Sequence, residues 1–115
     1  MVEPGKRFAV ALTSIGSQEQ AVSLAKELVE RRLAACVNIL SQVHSVYRWK
    51  GKVWQDEEKL LVIKTAVHLF PALSRAIREL HPYELPEAVM LPLSDTSPEI
   101  QEWLESCLAE DPGGG

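Results

Sequence analysis

The chain has 115 residues, 46% of them apolar, a net charge of −4 and no block of basic residues. Length and apolar content suffice for one domain around one core. The charge argues against nucleic acid and against an anionic membrane surface, since both are held by clustered lysine and arginine.

The two cysteines, Cys36 and Cys107, are far apart and suggest no disulfide framework, so a reducing, cytoplasmic setting is expected. Residues 1–5 lack the apolar run of a signal peptide, and no stretch approaches the ~20 apolar residues of a membrane span. A single domain over residues 6–110 and a disordered, glycine-rich tail over 111–115 are expected.

Phe8 to Thr13 has strand length, with Phe8, Val10 and Leu12 on one face and the small Ala9 and Ala11 on the other. Ser17 with Gln20 three residues on is a capping-box signature. Ala21, Val22, Leu24, Ala25, Leu28, Val29 and Leu33 then follow helical spacing. Next come two extended runs, about Cys36 to Trp49 and Lys52 to Thr65, which read as one long antiparallel hairpin around Lys50-Gly51. Each arm spans roughly 45 Å at ~3.3 Å per residue, more than the ~35 Å diameter expected of so small a domain. Leu40-Ser41-Gln42 breaks the alternation, as a bulge would. The tip half carries Val43, Val46, Tyr47, Trp49, Val53 and Trp54, apolar surface that a lone ribbon leaves wet. Other copies of the chain are its expected cover.

A second helix is predicted from near Pro71, burying Leu69, Leu73, Ala76, Ile77 and Leu80, and it stops at His81-Pro82. A fourth strand is predicted over Glu87 to Leu93, with Pro92 marking an edge. Ser97-Pro98 caps a last helix whose stripe is Ile100, Trp103, Leu104, Cys107 and Leu108. The order is α+β, βαββαβ plus a terminal helix, the ferredoxin-like split βαβ pattern.

The loop from His81 to Glu87 holds an imidazole, a phenol and two carboxylates between prolines that fix its geometry. One reading is a stiff helix-to-strand turn. The other is a ligand set, His81 with Glu84 or Glu87, whose N and O donors suit Cu²⁺ or Zn²⁺. His44 and His68 lie apart from it in sequence. Asp56-Glu57-Glu58 is expected opposite Arg48 and Lys50, as cross-strand charge pairing on a wet face; the alternative is a cation-attracting rim near the His81 loop. Cys36 and Cys107 are expected to be small buried hydrophobes. No GxSxG, Walker loop, GxGxxG, HExxH or paired CxxC is found, and the central strands lack the base-stacking aromatics of RNA-binding sheets.

The segments LAACVN (33–38), SVYRWKGKV (45–53), LVIKT (61–65) and HPYELPE (81–87), with the late Trp103, resemble the CutA, or divalent-cation-tolerance, proteins. The resemblance runs over about residues 7 to 108. It implies a ferredoxin-like subunit in a tight homotrimer similar to the PII signalling proteins, a link to metal tolerance, and binding of copper(II) or another divalent cation. The ligands would be His81, Glu84, Glu87 and Glu58, in or near a cleft with Cys36, Trp49, Lys64 and Tyr83. Leu12 and Ala76 stand where some relatives have further cysteines, and Trp54 and Gln55 where acidic residues are common. A rival reading is a PII-like trimer that binds a small molecule or partner in that cleft; another is a non-catalytic scaffold. Were there catalysis, Tyr83 or His81 would be its acid or base.

Overall fold

The structure is a computed structural model that describes residues 7–110; the expectations for Lys6 and for 111–115 lie outside the described residues. In chain order it consists of β1 (Phe8–Ile15), α1 (Gln18–Glu30), β2 (Cys36–Trp49), β3 (Lys52–Ala66), a 3-10 turn (Val67–Leu69), α2 (Phe70–Leu80), β4 (Val89–Pro92) and α3 (Pro98–Cys107). The strands make one antiparallel sheet in the order β2-β3-β1-β4. That order with βαββαβ connectivity is the ferredoxin-like arrangement.

Local chemistry sets the element ends. Ser17 Oγ accepts from the Gln20 N–H at 3.1 Å and starts α1. After α1, Arg32 takes a left-handed φ of 61°. Its guanidinium donates to the carbonyls of Ser106 (2.7 Å) and Cys107 (3.1 Å), fastening the end of α3 beneath α1. Ser97 holds the N-cap position of α3, but its hydroxyl makes no capping bond.

The helices cover one face of the sheet. Ala11, Ile15, Leu61 and Ile63 from the strands meet Ala21, Leu24 and Leu28 of α1 and Leu73, Ala76 and Ile77 of α2. Each fully buried Leu or Ile contributes roughly 1.5–3 kcal/mol. On β1 the covered side carries Ala9, Ala11, Thr13 and Ile15. Small residues there let the helices lie close to the strand. Val10 and Leu12 face the other way, beside the exposed Leu91 and Val89 of β4 and across from Lys64 and Val62 of β3. No described helix or strand covers that second face; the loop after α2 reaches it at Glu58.

The turn residues Lys50 (φ 51°) and Gly51 (φ 79°) are both left-handed, as a two-residue hairpin loop requires. That turn pairs Trp49 with Lys52 and Tyr47 with Trp54, and a bulge between Leu40 and Val43, with Gln42 at φ 58°, shifts the register once. The molecule measures 45 × 28 × 24 Å. The expected charge pairing across the hairpin is corrected by the same register. Arg48 faces Val53, while Asp56, Glu57 and Glu58 face Ser45, His44 and Val43. Residues opposite one another share a face, so the six apolar tip residues divide. Val46 and Val53, each 62% exposed, lie on one side; Val43, Tyr47, Trp49 and Trp54 lie on the other.

Three smaller expectations also change. β4 is shorter than predicted, because the chain from His81 to Ala88 is committed to the loop. Of the predicted stripe only Leu104 of α3 and the C-cap Leu108 are buried, leaving Ile100 and Trp103 exposed. Cys36 and Cys107 are half-buried rather than buried, since each lies at an element end rather than beneath the helices.

Candidate functional site: a groove between the hairpin and the 81–87 loop

The site begins with how α2 ends. His81 precedes a proline, which disfavours a helical backbone, and it turns to an extended conformation. Its ring is almost buried, at 7% exposure. Nδ1 accepts the N–H of Tyr83 at 3.1 Å, which leaves Nε2 to carry the hydrogen and donate to the Ser14 carbonyl at 2.7 Å. The ring is thereby fixed as a neutral tautomer with both nitrogens used. It stands edge-on to Tyr83, with centroids 4.5 Å apart. His81 thus pins the loop to the end of β1, and the loop carries Tyr83 around to the face away from the helices.

There Tyr83 donates its hydroxyl to Glu58 Oε2 at 2.6 Å. Glu58 is 7% exposed. Burial first, then the hydrogen bond and the charge of Glu58, push the Tyr83 phenol well above the usual tyrosine range. A second pair stands alongside, with Tyr47 donating to Asp56, and that bond is the main cause raising the Tyr47 phenol. Both tyrosines are held as hydrogen-bond donors, a state unsuited to a general base at neutral pH.

Between these pairs and the loop lies an open groove of about 820 Å³. Tyr47, Trp49, Tyr83, Leu85, Asp56 and Glu58 line it. At its rim the Lys50 ammonium lies 3.6 Å from Glu84 Oε2 and 5.6 Å from the centre of the Trp49 ring, bridging hairpin tip and loop.

Of the residues proposed from sequence as ligands, Glu58, Glu84 and Glu87 line this groove, while His81 lies behind it with no free nitrogen. Of the proposed cleft residues, Trp49 and Tyr83 line it. Cys36 and Lys64 do not; they face one another at the far end of the hairpin, beside Val10. His44 bonds Gln55 Oε1 at 2.9 Å and His68 the Ala109 carbonyl at 3.0 Å, so neither approaches the loop. Among the described residues no three His, Cys, Asp or Glu side chains converge as a metal centre needs. Within one chain these residues do not fit a resident copper or zinc ion.

Sequence reasoning missed the Tyr47 and Asp56 pair and the role of Ser14. The first was within reach, since a two-residue turn at 50–51 sets Tyr47 diagonal to Asp56. The second was not, because the contact from Ser14 to His81 spans 67 residues and uses a backbone carbonyl.

Residues 9–107 match the family described as CutA1 divalent ion tolerance protein. The chain is 48% identical over 95 residues to the divalent-cation tolerance protein CutA of Thermus thermophilus, covering 83% of this chain and 92% of that protein. It is 41% identical to protein CutA of Mus musculus over 88% of this chain, and spans just over half, 56%, of that longer protein. Among solved structures, the CutA1 crystal structure from Oryza sativa superposes with a TM-score of 0.88 at 35% identity, covering 94% of this chain and 99% of that one. The family is named for tolerance of divalent cations and not for a catalysed reaction. The chain belongs to the CutA1 divalent ion tolerance family.

Proposed function

We propose that the chain acts in divalent-cation tolerance as a homotrimer, without catalysis, with its sheet face and hairpin covered by two further copies. The carrying observation is the apolar surface that the described chain leaves open: Leu40, Val89 and Leu91 on the sheet, and Val46 and Val53 on the hairpin. The number three comes from the CutA resemblance. In this reading the chain concentrates divalent cations at the acidic grooves rather than chelating them in one subunit. Copper(II) held by His81 is not part of the proposal, because that ring has no lone pair left. Two free cysteines suit a reducing, cytoplasmic setting. The test is growth under copper stress of cells lacking their own family member. The wild-type chain should restore tolerance and Val46→Asp with Val53→Asp should not; equal rescue by both would defeat the role of assembly.

The groove favours a second reading, in which the trimer binds a small molecule. Its volume falls in the range usual for such ligands, roughly 300–1,000 Å³.

A further inference from the structure

Three observations on the groove converge on one ligand chemistry. The first is Glu58, a carboxylate more than nine-tenths buried that lines the groove. Its one hydrogen-bond donor among the described residues is a neutral phenol, on Oε2, and no described cation lies within ion-pair distance of it. A buried charge of this kind is costly unless a cation meets it.

The second is the wall around it. Four carboxylates border the groove, Asp56 and Glu58 on the Tyr47 side of the hairpin and Glu84 and Glu87 on the loop, while Glu57 and Arg48 hold register positions on the opposite side of the ribbon. Tyr47, Trp49 and Tyr83 add aromatic rings whose faces attract cations. The donors do not converge as a metal ion demands, whereas an ammonium needs only one or two carboxylates and a ring.

The third is that an ammonium already sits at the mouth. Lys50 places its own between Glu84 and the Trp49 ring. The protein's side chain displays there the recognition that a free amine would receive deeper in.

We propose that the groove between the hairpin tip and the 81–87 loop binds an organic ammonium, a primary amine or short diamine, with Glu58 as its buried anchor and Lys50 as an internal competitor at the rim. The site gives the small-molecule reading above its substrate class. It rests on that reading.

The experiment is calorimetric titration of the full chain at low ionic strength with 1,4-diaminobutane, with 1,4-butanediol as its uncharged counterpart and magnesium chloride as a plain dication. Saturable binding of the diamine, with no response to the diol and a weaker one to magnesium, supports the site. Glu58→Gln keeps an acceptor for Tyr83 and should weaken the diamine about 10-fold or more, as expected for loss of a charged hydrogen bond. Lys50→Gln, on the surface, should tighten it by up to about fivefold, the ceiling for an exposed ion pair. No diamine binding overturns the proposal, as does magnesium binding equal to diamine, which would mean a diffuse acidic surface. An unchanged affinity in folded Glu58→Gln overturns it too. Light scattering on the same sample separates the two failures: a trimer that ignores the diamine sinks this site alone, and a single-chain mass sinks the trimeric reading on which the site rests.

Discussion

Removing the His81 ring should detach the loop that builds one wall of the groove. In His81→Ala the Ser14 carbonyl loses its donor and the Tyr83 N–H its acceptor, bonds of 2.7 and 3.1 Å around a nearly buried ring. Each such bond is worth about 1 kcal/mol net, and more where the abandoned partner stays buried. The sum is a loss of about 2–4 kcal/mol. With a urea dependence of about 1–3 kcal/mol per molar, the unfolding midpoint should fall by about 1–2 M at fixed protein concentration. Tyr83 should then leave Glu58, visible as increased hydrogen exchange across the loop. Copper titrated into the folded variant should give the wild-type curve, since no ring nitrogen is available in either. A stability loss below about 0.5 kcal/mol, or a copper response that vanishes with the ring, would refute the assignment of His81 as a latch.

Further expectations follow from the same geometry. The Tyr83 phenol titrates above its unfolded value near 10, so the unfolded chain gives up that proton first. Its contribution to stability is complete below pH ~10 and declines as pH rises beyond it; Tyr83→Phe should flatten that alkaline decline in urea midpoints, and an unaltered slope would count against the pair with Glu58. Thr13 Oγ1 is buried without a partner among the described residues, so Thr13→Val should be neutral or stabilising by up to about 1–2 kcal/mol; a clear loss would mean the hydroxyl has a partner. Val46→Asp with Val53→Asp puts charges on the exposed side of the hairpin and should lower the sedimentation coefficient while leaving the far-ultraviolet circular dichroism intact. Unchanged sedimentation would place the contact elsewhere.

The elements themselves were legible because their signals are local. Ser17 and Gln20 name the start of α1, Lys50-Gly51 names the turn, and the broken alternation at 40–42 marks the bulge. Which face of β1 is covered was not legible, because the helices lie on the side of the small residues, where alanines let α1 and α2 come close. The site was legible in its residues and not in its connections. HPYELPE stands out as a rigid polar loop, yet nothing near His81 in sequence says that its ring is spent on the Ser14 carbonyl and the Tyr83 amide. The acidic run was given the wrong partners because the register was guessed rather than counted outward from the turn. Counting places Tyr47 beside Asp56, and Glu58 is then within reach of the loop.

The most direct test of the account is the mass of the folded chain in solution, measured by static light scattering at low micromolar concentration. Coverage of the open sheet face and hairpin by further copies predicts the mass of three 12.8-kDa chains. A mass of one folded chain, stable on dilution, would contradict it.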